Sequence, residues 1–228
     1  MLDNKITRTT AAASVLALLA ACASAPKENP AAPPASSPKF SKAPEAAAPL
    51  TPPPAPRPSR ALFACKMKVS NAPPFGPDRR IVSAPAHVAL KGVALRLAPV
   101  TEGCLSSGFG PRGTKLHRGV DYFARGGDVL AAGGGAIKEA LTRADFGNMI
   151  VIDHGGGVYT RYAHLASFAR PFAVGDKVKD GGLLGPIGAT GAASAPHLHY
   201  EILSGAYVSG VGSFGLTHHD PFALPAAN

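Results

Sequence analysis

The sequence predicts a mainly β fold, a small antiparallel β-sheet assembly preceded by a disordered Pro/Ala-rich linker. Three observations carry that expectation. Short apolar runs alternate with glycine breaks from residue 103 onward, and the chain holds 26 Gly and 23 Pro in 228 residues. No window of the body offers a long amphipathic helix. Taken in chain order, residues 61–102 intersperse runs such as Ile81-Val82 and Val88-Ala89-Leu90 with Pro and Gly, and read as a small β-leaning extension packed on the main body over 103–224. Within the body, 119–123, 128–132, 149–153, 158–162 and 183–187 read as strands. Gly155-Gly156-Gly157 between two of them is a hairpin signal, while 133–135 reads as a turn. Glycine shows no three-residue period and no heptads appear, which excludes collagen-like and coiled-coil architectures; a polytopic membrane protein is excluded as well.

The first 21 residues read as a secretory signal, in which Lys5 and Arg8 precede a short apolar run over 11–21 and small residues follow. The run closes Leu19-Ala20-Ala21-Cys22, which resembles the lipobox of bacterial lipoproteins. That resemblance implies cleavage before Cys22, lipidation of its thiol and a membrane anchor, because several acyl chains at about 0.8 kcal/mol per buried CH₂ hold firmly. Ala23, rather than Asp, implies the periplasmic face of the outer membrane by the sorting rule of Gram-negative lipoproteins. Losing Lys5, Arg8 and Asp3 with the signal lowers the formal charge from +9 to +8. The 38 positions after Cys22 contain 12 prolines. A segment of that kind cannot bury enough apolar surface to offset its ordering entropy, so 22–60 reads as a tether reaching about 100 Å. An exported chain meets oxidising conditions, so Cys65 and Cys104 are expected to pair, with two buried free thiols as the alternative. Positive charge is scattered, densest at Arg79-Arg80 and without interleaved aromatics. It suits weak attraction to anionic cell wall better than nucleic acid.

Three histidine patterns carry chemistry: His117-Arg118-Gly119-Val120-Asp121, Tyr162-Ala163-His164-Leu165 and His197-Leu198-His199. Each alone is weak, and their joint occurrence amid strands and glycines is far more specific. As a strand, 197–203 turns His197, His199 and Glu201 to one face and Leu198, Tyr200 and Ile202 to the other. One imidazole of the pair suits a metal and its neighbour suits proton transfer. Two histidines and one carboxylate form a frequent catalytic zinc set. His87, His218 and His219 match no metal spacing and read as structural or solvated, and His154, between an apolar strand and Gly155, reads as a satisfied structural histidine rather than a ligand.

With Ser107-Gly108-Phe109-Gly110-Pro111-Arg112, the HRGVD run, TRYAHL at 160–165, VGDKVKDGGLLGPIGATG at 174–191 and PHLHYE at 196–201, the chain resembles the lysostaphin/LytM-type zinc metallo-endopeptidase family over about 104–222. The resemblance implies an antiparallel β assembly with a duplicated hybrid motif and an open groove, one Zn²⁺ per chain, and cleavage of peptidoglycan stem peptides or cross-links. It implies His117, Asp121 and His199 as zinc ligands and His164 and His197 as catalytic histidines. His197 is then the general base toward water, and His164 supports the developing oxyanion. Some relatives carry a tyrosine shortly before the HxxxD motif; residues 110–116 have none, leaving that help to His164. A monomer anchored through Cys22 is expected. The competing reading is a non-catalytic peptidoglycan-binding module or amidase activator using the same groove.

Overall fold

The computed structural model describes residues 62–228. The expected signal over 1–21, the lipidation site Cys22 and the tether over 22–60 lie outside the described residues. The strands are β1 (His87–Leu90), β2 (Val93–Arg96), β3 (Cys104–Ser107), β4 (Gly110–Arg112), β5 (Lys115–His117), β6 (Val120–Phe123) and β7 (Asp128–Leu130), followed by β8 (Gly135–Arg143), β9 (Gly147–Gly155), β10 (Val158–Leu165), β11 (Lys177–Val178), β12 (Leu183–Pro186), β13 (His197–Ser204) and β14 (Thr217–His219). An eight-stranded sheet runs β11-β8-β9-β10-β13-β6-β3, with β14 also paired to β13, and three two-stranded ribbons (β1-β2, β4-β5, β7-β12) flank it. All of these pairings are antiparallel. Among the described residues there is no α-helix, and no helix is long and apolar enough to cross a membrane.

The architecture is thus the mainly β, antiparallel one expected from the glycine-punctuated runs. β9 and β10 outgrow their expected lengths and are joined through Gly156-Gly157, with Gly155 paired to Val158. β8 departs from expectation. Residue 135 was expected in a turn, yet it opens a nine-residue strand in which only Ile137 and Glu139 are buried. Apolar alternation is too thin there to announce a strand; pairing with β9 from Ala136 to Arg143 supplies it.

The pleat gives the sheet two unlike faces. Leu198, Tyr200 and Ile202 of β13 join Val120 and Tyr122 of β6, Ile150 and Ile152 of β9 and Tyr162 of β10 in the main core. The segment before β3 covers this face: Leu95, Leu97 and Val100 are buried against it. Buried tyrosine hydroxyls need partners, and they lock the cover down. Tyr122 donates to the Leu97 carbonyl at 2.7 Å and Tyr200 to the Arg96 carbonyl at 3.1 Å. The other face carries His197, His199 and Glu201 along β13, followed by Leu203 in a smaller cluster with Met149, Val151, Tyr159 and Leu216. Cys65 is disulfide-bonded to Cys104 at the head of β3, with Cα atoms 5.0 Å apart.

Candidate active site

The polar face of β13 forms the floor of a cleft of about 540 Å³, whose walls include Leu116, Arg118, Phe146, His164 and Ser194. Strand pairing places the first two functional groups. His199 on β13 lies directly opposite Asp121 on β6. His117, the last residue of β5, comes in from the β4-β5 ribbon, where it pairs with Gly110. The turn between His117 and Asp121 must press against β13, and Gly119 allows this. A Cβ there would meet the Tyr200 carbonyl at 2.5 Å and the His199 ring at 2.9 Å.

Three donor atoms converge. His117 Nε2 stands 3.0 Å from Asp121 Oδ1, His199 Nδ1 stands 2.9 Å from the same oxygen, and the two ring nitrogens are 3.2 Å apart. All three residues are buried, and they are the group of acidic and imidazole side chains suited to hold a metal ion among the described residues. The rest of each ring decides its tautomer. A carbonyl only accepts, so His117 Nδ1 donates to Gly108 O at 2.7 Å. His199 Nε2 donates to Glu201 Oε1 at 2.9 Å. The lone pairs therefore fall on the two nitrogens that face each other across the carboxylate.

That arrangement fits zinc. Ligands about 2.0–2.1 Å from a tetrahedral ion stand about 3.3 Å apart, close to the observed spacings. The protein alone compensates the crowded donors with protons. Burial opposes charge on His199, but its hydrogen bonds to Asp121 and Glu201 outweigh burial and lift its pKa to about 9. For Asp121, burial raises the pKa, and the bonds to His117 and His199 more than reverse it, holding the carboxyl well below the usual carboxylate range.

A supporting layer lies behind the donors. Arg112 holds the second oxygen of Asp121 at 2.7 Å. Glu201 receives Arg161 at 2.6 Å, directly across the β10-β13 pair, and Arg161 also donates to Ser213. Phe146 and Phe214 lie over the Arg161 guanidinium at 5.0 and 4.5 Å. Burial raises the Glu201 pKa, but its bonds to His199 and His218 reverse that, and the carboxyl stays ionised.

His164 and His197 are brought to the same cleft with ring centroids 4.7 Å apart. β10 reaches His164 through a bulge, where the register shifts between Tyr162 and Leu165 and His164 takes φ 65. Bulges beside active sites re-aim a side chain, and a non-glycine residue at positive φ is a strained conformation held by its surroundings. His164 Nδ1 donates to Thr190 O at 2.8 Å and His197 Nδ1 to Ala195 O at 2.7 Å. In the neutral rings both Nε2 atoms are then proton acceptors. His197 Nε2 lies 3.8 Å from Asp121 Oδ1, next to the donor triad. Burial lowers the His164 pKa to about 4 despite the Thr190 bond, so this ring is neutral at pH 7. An oxyanion needs a donor, so His164 serves one only as the imidazolium.

The structure thus gathers all five histidine and aspartate residues singled out in the sequence. It keeps His87, His154 and His219 away from the donors: His154 bonds Gly134 O and Thr160, and His219 bonds Ser204. His218 was read as structural; its Nδ1 stands 3.3 Å from Glu201 Oε2, one layer behind the site. Arg112, Glu201 and Arg161 were given no role from the sequence. Glu201 carried a signal, its place on the histidine face of β13. Arg161 carried none, since only strand register sets it opposite Glu201.

Residues 115–209 match the family model of Peptidase family M23. Peptidoglycan DD-endopeptidase ShyC of Vibrio cholerae is 37% identical over 123 residues, which are 50% of this chain and 28% of that protein. DD-carboxypeptidase/endopeptidase Mpg of Neisseria meningitidis is 42% identical over 88 residues, 38% of this chain and 20% of that protein. Among solved structures, the antimicrobial peptidase lysostaphin from Staphylococcus simulans aligns over 52% of this chain and 47% of its own, at 33% identity and a TM-score of 0.45. The chain spans less than a third of the length of these two curated relatives.

Proposed function

We propose that this chain, whose residues 115–209 match the model of Peptidase family M23, is a zinc-dependent endopeptidase hydrolysing the peptide cross-links of bacterial peptidoglycan. The observation that carries the reading is the convergence of His117 Nε2, His199 Nδ1 and Asp121 Oδ1 within 3.2 Å of one another, with the imidazoles of His164 and His197 alongside. The relatives named peptidoglycan DD-endopeptidases support the substrate class.

His117, Asp121 and His199 would hold the ion, with Gly108 O and Glu201 fixing the two ring tautomers and Arg112 steadying the carboxylate. When bound, zinc supplies Lewis acidity that brings a water's pKa toward 7 and polarises a carbonyl. His197, the acceptor nearest the triad, takes the proton of the attacking water and becomes an imidazolium. It returns that proton to the nitrogen of the broken peptide bond, so one side chain acts as base and then acid. His164 faces the same reaction volume with a second acceptor Nε2. Once protonated, it offers the donor that a developing oxyanion requires.

In this reading the domain acts outside the cytoplasm, anchored through lipid at Cys22 on the periplasmic face of the outer membrane and extended on the 22–60 tether. Radiolabelled palmitate should mark the wild-type chain and not Cys22→Ala; equal labelling of both would remove the anchor. Purified sacculi incubated with the zinc-loaded protein should release uncrosslinked muropeptides, with release stopped by a chelator and restored by zinc. Binding to sacculi without products would replace the enzyme with a non-catalytic wall module.

A further inference from the structure

The cleft does not end at His197. A second hollow of about 320 Å³ continues from it, sharing Arg112, Asp121, Ser194 and His197 with the first, and its far wall is formed by Met67 and Ser70. These two residues lie outside the 115–209 family match, on a strap that precedes the sheet.

The strap is a built wall. The Cys65–Cys104 disulfide fixes its start to β3, and Cys65 N donates to Leu105 O at 2.9 Å. Ser70 forms a parallel bridge with Ser107, and its carbonyl receives Gly108 N at 2.8 Å. Asn71 Nδ2 then donates to Pro111 O at 2.9 Å on the ribbon that presents Arg112. The close approach depends on Gly108, where a Cβ would overlap the Asn71 carbonyl. Behind the wall, the Arg79 guanidinium ties the Ala64 and Cys65 carbonyls together. Gly108 is also the residue whose carbonyl fixes the His117 tautomer, so strap and donor triad share one support.

The lining gives the chemistry. Of the charged side chains that border the second hollow, Arg112 and Asp121 already neutralise each other. The remainder are His197, serines, Ala195, Met67 and Phe123, and Met67 and Ser70 are exposed toward solvent. The first hollow differs: Lys115 and Arg118 border it without a salt bridge among the described residues. Its volume places the second hollow at the small end of ligand clefts, and a carboxylate or ammonium entering it would find the Arg112 and Asp121 charges of its lining already paired with each other. We infer that Met67 and Ser70 wall a substrate subsite beyond His197 that receives an uncharged, small-side-chain stretch of the peptide, on one side of the bond to be cut. The inference rests on the endopeptidase reading for its ligand.

The test is Ser70→Trp in the full-length, zinc-loaded protein, because the strap's bonds at Ser70 run through its carbonyl and a larger side chain obstructs the hollow without unpinning the strap. A cross-linked muropeptide dimer and versions shortened one residue at a time from either end serve as probes. Affinities are read by calorimetry in a His197→Ala background, where turnover is slowed roughly 10²- to 10⁴-fold, and KM is read in the otherwise wild-type background. Ser70→Trp should weaken binding of the full dimer roughly tenfold, the scale of one lost small contact site, with zinc content unchanged. The penalty should vanish once shortening removes the residues at one end. A Met67→Ala variant, at an exposed site whose bond from Arg79 runs through its carbonyl, should soften the same subsite if Ser70→Trp folds poorly. Unchanged affinity, or equal loss for every shortened probe, overturns the inference. A wild-type protein that binds the dimer with this pattern and cuts nothing would sink the endopeptidase reading and leave the subsite standing.

Discussion

The donor triad and the histidine pair sit in one cleft and are held in different ways. His117 and His199 have both ring nitrogens committed, one to the convergence point and one to a partner behind, and their side chains are 7% and 10% exposed. His197 is tied only by Nδ1 to Ala195 O, and its side chain is 16% exposed. His164 is tied the same way through Thr190 O, at the end of a bulge. A group clamped on both sides can hold a cation in fixed geometry and has no freedom to pass a proton. A group clamped on one side keeps an acceptor lone pair turned to the cleft. In the proposed reading this contrast separates ligands from proton carriers without reference to sequence order, and substitutions should separate them in the same way.

The largest effect should come from His199→Ala. Removing one of three donors should abolish both zinc retention and cleavage, as measured by metal analysis after dialysis and by muropeptide release. His197→Ala should spare the metal and lower kcat by roughly 10² to 10⁴, the usual weight of positioned proton transfer; wild-type turnover in that variant would take His197 out of the reaction. Glu201→Gln keeps an acceptor for His199 Nε2 and removes the charge that faces Arg161. By the usual weight of groups that orient a metal-bound histidine, zinc affinity should fall about 10- to 100-fold in a chelator competition. An unchanged affinity would reduce Glu201 to packing.

The pH dependence is smaller and sharper. The His199 pKa is raised in the folded protein, to about 9, so below that pH a zinc ion must displace its proton. Apparent zinc affinity should therefore rise about tenfold per pH unit between pH 6 and 8 on account of this group, with proton release visible as buffer-dependent heat. A flat affinity over that range would contradict a His199 that must give up a proton to bind the ion. Smallest in its effect on chemistry, reduction of the Cys65–Cys104 disulfide should leave zinc bound while lowering stability, by about 4 kcal/mol in the chain-entropy estimate for a loop of 39 residues.

How much of this was legible in the sequence follows from which signals are local. The alternation over 197–203 reveals both faces of β13, because Leu198, Tyr200 and Ile202 read as core without reference to any other strand. The His117 to Asp121 spacing is likewise local, and only its convergence with His199 needs the sheet. β8 stays hidden because its apolar positions are sparse and its partner supplies the order. Arg161 stays hidden because nothing in its own neighbourhood anticipates Glu201 forty residues later. The strap is the least legible of all. Residues 62–81 show only weak β character, and their place beside His197 depends on an approach of Asn71 to Gly108 that no periodicity encodes.

Zinc K-edge X-ray absorption on the purified full-length protein tests the shared-ion centre most directly. The account predicts one zinc per chain with two imidazole nitrogens and low-mass oxygen neighbours at about 2.0–2.1 Å, and loss of one imidazole shell in any zinc retained by His117→Ala. A zinc-free protein that still cuts sacculi, or a bound ion whose surroundings contain no imidazole, would contradict it.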